Sequence, residues 1–149
     1  TSSVNGSGTT NLSAVRIRGG RGDGPRVIYL HGLTRGAMSV EPLLPFFGDT
    51  WALDHAGHGA SDRLSRYRVL DYAGPVIEWV GQNIQEPFCI YGHSLGAMVA
   101  PLVAAALPER VDALVLEDPP FSFFGPTLRE TDWYPYFECI APQLGKWVR

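Results

Sequence analysis

The stretch Cys89-Ile90-Tyr91-Gly92-His93-Ser94-Leu95-Gly96-Ala97 constrains the rest of the chain more than any other. An apolar run enters Gly-His-Ser-Leu-Gly and leaves through Ala97-Met98-Val99-Ala100, the order of a strand, a sharp turn and a helix. A serine at the apex of such a turn takes a strained backbone conformation, tolerated only where the residues two before and two after lack bulk. Gly92 and Gly96 meet that condition. The spacing lifts the Ser94 hydroxyl above the carboxyl end of the strand. The backbone N–H of Leu95, at a helix N-terminus, then faces the place where charge would develop on an attacked carbonyl. Five-residue patterns also arise by chance, and the flanking strand and helix are what identify this one as a nucleophile elbow.

Upstream, Val27-Ile28-Tyr29-Leu30 is a short continuous apolar run, as expected of a strand covered on both faces, and it ends in His31-Gly32-Leu33. Gly32 lets the backbone approach a ligand closely, so the Leu33 N–H is a second candidate oxyanion donor beside that of Leu95. Trp51-Ala52-Leu53, the next strand, runs into Asp54-His55-Ala56-Gly57-His58-Gly59-Ala60-Ser61-Asp62. Two histidines and two acids lie close together there. They surround two glycines instead of following helical i, i+4 spacing, and no cysteine joins them. No metal is expected. The block reads as a turn in which Ser61 or Asp62 caps the next element.

Residues 1–10 are almost all Ser, Thr, Gly and Asn, a composition that reads as a loose tail. Residues 12–18 alternate apolar and polar until a glycine-rich turn. That turn contains Arg21-Gly22-Asp23, an adhesion tripeptide by spelling but a product of composition here. Residues 38–47 include Pro42 and Pro45, so any helix among them is short or starts at a proline. Between 70 and 84, Tyr72, Val76, Trp79, Val80 and Ile84 recur at three- and four-residue steps, an amphipathic helix with Asp71 as N-cap and Pro75 near its first turn. The helix after Ser94 is expected to continue through Ala106 with a kink at Pro101. Residues 111–116 form another strand, ending in Glu117-Asp118-Pro119-Pro120. From Phe121 aromatics and prolines accumulate without a period, which suits either a lid over an apolar pocket or the start of a helical subdomain. The chain thus divides into a tail (1–10), a core (11–120) and the start of a cap (121–149).

Bulk properties narrow the function. With 12 basic and 15 acidic residues and no basic run, the chain has no electrostatic footprint for nucleic acid or an anionic membrane. No apolar segment is long enough to span a bilayer, and the polar start lacks the order of a signal peptide. Asn5-Gly6-Ser7 and Asn11-Leu12-Ser13 fit the glycosylation acceptor pattern, yet without a secretory signal they read as polar turns. Cys89 and Cys139 read as free thiols, which suits a reducing, cytoplasmic setting.

At Gly92-His93-Ser94-Leu95-Gly96, at His31-Gly32 and at Asp54-His55-Ala56-Gly57-His58-Gly59-Ala60-Ser61 the sequence resembles the α/β-hydrolase fold superfamily. The resemblance covers about residues 12–120. It implies a doubly wound, mostly parallel sheet with the site at the carboxyl ends of the strands. It also implies a hydrolase acting on a small-molecule carbonyl substrate through an acyl-enzyme on Ser94, with the Leu33 and Leu95 N–H groups as oxyanion hole and no cofactor. A serine nucleophile argues against the aspartate-using relatives, the haloalkane dehalogenases and epoxide hydrolases. Esterase, lactonase, thioesterase, C–C bond hydrolase and perhydrolysis stay open.

The sequence departs from the family at one point. The family's order is nucleophile, acid, histidine, with the histidine late in the chain, whereas the last histidine here is His93. None of His31, His55, His58 and His93 occupies the base position. Because position 1 is Thr, the chain is also expected to be processed, trimmed or a fragment. The chain is thus expected either to be the first part of a longer serine hydrolase, truncated after the family's sixth strand, or to be a non-catalytic pocket for a small apolar ligand. In the first case a complementing chain or a second copy would cover the last strand's edge. If the triad acid lies within this chain, resemblance to members with a sixth-strand acid favours Glu117 over Asp118; otherwise it lies beyond Arg149.

Overall fold

A computed structural model describes residues 9–121. Most of the expected tail, nearly all of the expected cap and Cys139 lie outside the described residues.

Five strands form one sheet in the order β1-β3-β2-β4-β5, from β1 (Ala14–Arg18), β2 (Val27–Leu30), β3 (Asp49–Leu53), β4 (Phe88–His93) and β5 (Val111–Glu117). All neighbours run parallel except β1, which pairs antiparallel with β3. β2, the centre, is buried at every residue, as its unbroken Val-Ile-Tyr-Leu run implies. Successive side chains leave on opposite faces. Ile28, Leu30, Phe88 and Ile90 therefore meet one covering layer, and Tyr29 and Ala52 meet the other.

The first layer is α1 (Val69–Asn83) and α2 (Leu95–Ala106), which turn Val76, Val80, Val99 and Val103 into the sheet. Truncating a fully buried side chain of this core, Ile90→Ala for instance, would cost about 2–5 kcal/mol. The second layer is a 3₁₀ helix, Ala37–Phe46, that buries Ala37 and Val40. It contains Pro42 and Pro45, which lack the N–H that a long α-helix needs.

Two local expectations are corrected. Asp71 is not the N-cap of α1 but its third residue, and Arg68 holds the cap position. The helix starts earlier because a carboxylate three residues in reaches back to the cap, here accepting from the Arg68 N–H at 2.8 Å. The guanidinium of Arg68 beside it holds the Asp71 carboxyl well below the ordinary range. Ser61 and Asp62, in turn, cap no later element. The Ser61 hydroxyl accepts from the Ser13 N–H at 2.8 Å and donates to the Asp54 carbonyl at 2.7 Å. The Asp62 carboxylate accepts from the Asn11 N–H at 2.9 Å. Both side chains face backwards because the open backbone near them is the lead-in to β1.

β2 is followed in the sheet by β3 on one side, and β4 by β5 on the other, so the chain reverses direction between β2 and β4. Open parallel sheets form their crevice at such a point, beyond the strands' carboxyl ends. His31-Gly32-Leu33 leaves β2 there, and Ser94 leaves β4.

Candidate active site

Ser94 has φ 50 and ψ −107, and α2 begins at the next residue, Leu95. A non-glycine residue held in this region stores on the order of 1–3 kcal/mol of strain. Two backbone contacts enforce it. A Cβ on Gly92 would run into the carbonyl of Gly96, and a Cβ on Gly96 would run into the carbonyl of Leu30 at the end of β2. The elbow glycines thus let the first turn of α2 close on β4 and rest on β2. The Leu95 N–H is among the helix's first four amides, which have no partner inside the helix.

The loop after β2 is built against this turn. A Cβ on Gly32 would lie 2.8 Å from His93 Nδ1 and 3.4 Å from Ser94 Cβ, so the Gly32 backbone sits directly on the elbow. The Gly32 carbonyl accepts from the Arg35 N–H at 3.1 Å, and between them Thr34 has φ 67. This is a type II turn with a β-branched residue at the position that favours glycine.

His31 and His55 are fully buried and hold one another. The His55 backbone N–H donates to His31 Nε2 at 3.0 Å, so the His31 proton is on Nδ1, 2.7 Å from the Gly32 carbonyl. Reciprocally, His55 Nε2 donates to the His31 carbonyl at 3.0 Å. Burial lowers His31 to about 4 and His55 well below its ordinary value. His31 Nε2 also lies 3.9 Å from an Asp54 oxygen, but that nitrogen already accepts a hydrogen bond, so the pair is not ionic.

Asp54 anchors the surrounding turn. One oxygen accepts from the Ala37 N–H at the start of the 3₁₀ helix, at 2.8 Å. Gly59, with φ 52, leaves room for the carboxylate, which any Cβ there would strike. The D-x-x-G-H-G-x-S block is therefore a backbone clamp. Among the described residues no cluster of three or more His, Cys, Asp or Glu side chains could hold a metal ion.

The Tyr91 hydroxyl donates to a carboxylate oxygen of Glu117 at 2.8 Å. Burial raises the Tyr91 phenol, and the Glu117 carboxylate raises it further, to about 12. Tyr91 stacks on Tyr29 with ring centroids 5.9 Å apart, on the sheet face of the 3₁₀ helix. The main chain of Glu117 faces the elbow, its carbonyl accepting from the Ser94 N–H at 2.9 Å. Asp118 comes next, with φ 49.

The structure thus gathers His31, Gly32, Gly92, His93, Ser94, Leu95 and Gly96 into one junction, borders it with Glu117 and carries Leu33 on the adjoining turn. Among the described residues, which include all four histidines, no imidazole is hydrogen-bonded to the Ser94 hydroxyl. His31 and His55 are engaged as described, His58 Nδ1 is 3.2 Å from the Ala56 carbonyl, and the His93 ring lies against Gly32. Sequence reasoning missed the His31–His55 clasp and the Tyr91–Glu117 bond, since both join residues 24 or more positions apart. Among the described residues, no helix is long and apolar enough to cross a membrane.

Comparison with known proteins gives the family of the fold. The family model described as the alpha/beta hydrolase fold matches residues 25–137. The chain is 33% identical over 102 residues to a 2-(acetamidomethylene)succinate hydrolase of Mesorhizobium japonicum, covering 66% of this chain and 37% of that protein. It is 33% identical over 103 residues to a human serine hydrolase-like protein, covering 65% and 51% respectively. The crystal structure of a hypothetical protein from Pseudomonas aeruginosa PAO1 superposes with a TM-score of 0.65 at 37% identity, covering 91% of this chain and 48% of the other. The chain spans about a third to a half of the length of these curated relatives.

Proposed function

We propose, because this chain belongs to the alpha/beta hydrolase fold family, that it carries the nucleophile and oxyanion hole of a serine hydrolase acting on an ester-like or related carbonyl substrate. The observation that carries this reading is the strained Ser94 at the sheet's crevice, with Gly32 seated on it. Strain of this kind is kept where it presents a reacting group. In this reading Ser94 Oγ attacks the carbonyl carbon, its proton passes to a base, and the oxyanion is held by the Leu33 and Leu95 N–H groups. Collapse releases the leaving group, and water then hydrolyses the acyl-enzyme. Glu117 is the acid that orients the base. Tyr91 occupies one of its carboxylate oxygens and leaves the other for an imidazole N–H.

The base is a histidine outside these 149 residues, because His31 and His55 are committed to each other, His58 Nδ1 lies on the Ala56 carbonyl, and none of the four is hydrogen-bonded to the Ser94 hydroxyl. The same observation favours the competing reading, a hydrolase-like pocket that only binds. Reaction of the intact protein with a fluorophosphonate separates the two. Stoichiometric labelling that disappears in Ser94→Ala supports the hydrolase, and an unreactive Ser94 in the intact protein overturns it.

A further inference from the structure

The two candidate oxyanion donors are held by different means. The Leu95 N–H is fixed by α2 itself, whereas the Leu33 N–H belongs to a loop and needs something else to aim it. In a trans peptide the N–H and the preceding C=O lie in one plane and point in opposite directions. Whatever fixes the Gly32 carbonyl therefore fixes the Leu33 N–H. Two donors hold that carbonyl: the Arg35 N–H, which closes the type II turn, and the buried His31 Nδ1–H.

His31 can donate from Nδ1 because the His55 N–H occupies Nε2, and it cannot turn because its ring is buried and its own carbonyl is bound by His55 Nε2. We propose that His31, clasped by His55, is the positioning residue that aims the Leu33 amide at the developing oxyanion; this deepens, and rests on, the serine-hydrolase reading above. Two donors on one carbonyl also polarise its peptide and so strengthen the opposite N–H as a donor. The side-chain groups that face His31 are Asp54, His55, His58 and His93. The first stands 3.9 Å from Nε2, and neither it nor the other rings displaces the His55 N–H from that nitrogen.

The test pairs two substitutions in the intact protein. The amide nitrogen of Asn overlays the His δ position, so His31→Asn keeps a donor for the Gly32 carbonyl. Gln places its amide at the ε position, so His31→Gln keeps the contact with His55 and loses that donor. With rates expressed per titrated active site, His31→Gln should lower kcat about 10- to 100-fold at unchanged KM, less than the roughly 10²- to 10³-fold that outright removal of one oxyanion donor costs, and His31→Asn should recover most of it. Equal kcat in the parent and His31→Gln, while Ser94→Ala is inactive, would overturn the proposal and leave the hydrolase reading standing. Full activity in Ser94→Ala would overturn both. A readout independent of activity and of variant folding is the imidazole ¹⁵N spectrum of the parent at neutral pH. It should show His31 neutral and protonated on Nδ1; a proton on Nε2, or an imidazolium, would overturn the clasp.

Discussion

The Ser94 N–H donates to the Glu117 carbonyl at 2.9 Å, one bond beyond the last ladder pair of β4 and β5, His93 with Glu117. The residues that leave the ladder there, Ser94 with φ 50 and Asp118 with φ 49, both turn through the left-handed region. The elbow is therefore tied to β5 as well as to its own strand and helix. Ser94 and the end of β5 form one rigid corner.

The strain at that corner is measurable. Ser94→Ala removes the hydroxyl and keeps the strain, whereas Ser94→Gly removes both, since glycine adopts positive φ at no steric cost. We expect Ser94→Gly to be about 1 kcal/mol more stable than Ser94→Ala, the strain relieved less glycine's greater loss of chain entropy. Urea unfolding of the two variants measures the difference, and a less stable Ser94→Gly would mean that the corner stores no strain.

Gly96→Ala should be more damaging than any other single methyl added to α2. The new Cβ meets the Leu30 backbone carbonyl, and backbone in a central strand cannot swing aside as a flexible side chain would. Overpacking of this kind costs about 1–3 kcal/mol, and relief by shifting α2 away from β2 would also part Ser94 from Gly32. We expect a lower unfolding midpoint together with loss of Ser94 labelling by a fluorophosphonate. Gly74→Ala, whose Cβ meets nothing within 4 Å, is the control that should retain both.

Most of the frame is legible in the sequence because its signals are local. The Val27 to Leu30 run, the three- and four-residue steps from Tyr72 to Ile84, and the glycines flanking Ser94 each fix an element without reference to the rest of the chain. The caps are not legible in this way, because Ser61, Asp62 and Asp71 carry the same oxygens whichever way they face, and only the fold supplies the donors at Asn11, Ser13 and Arg68. The histidines show the same limit. Sequence spacing argues against metal at His55 and His58, but gives no hint that His55 grips a histidine on a different strand end.

That clasp predicts acid sensitivity. His31 in the folded protein titrates near 4, lowered from 6.5 by burial, and burial also holds His55 well below its ordinary value. The unfolded chain binds protons at these sites first as pH falls, so protonation favours unfolding. The contribution of neutral His31 is complete above about pH 6.5 and is lost progressively from there to about pH 4, on the order of 3 kcal/mol, and that of His55 is lost in the same direction. Stability measured by urea unfolding between pH 7.5 and 4 should fall in the parent and fall less steeply in His31→Asn. Parallel curves would place the acid sensitivity elsewhere.

Glu117 is the last residue of β5, whereas Asp118, with φ 49, has already left the strand. Glu117 shares its face with Tyr91, whose hydroxyl it accepts, and its main chain touches Ser94. As the acid of the proposed hydrolase it would be held by Tyr91 as its orienting donor. In the intact protein Glu117→Gln should then lower kcat by orders of magnitude while leaving the urea midpoint nearly unchanged, because the amide can still accept from Tyr91. Tyr91→Phe frees the carboxylate to rotate and should lower kcat by about tenfold, one misplaced hydrogen bond's worth. Asp118→Asn should leave kcat where it was. Parent-like turnover in Glu117→Gln, with Ser94→Ala inactive, would move the acid to another position and reduce the Tyr91–Glu117 bond to a link between the ends of β4 and β5.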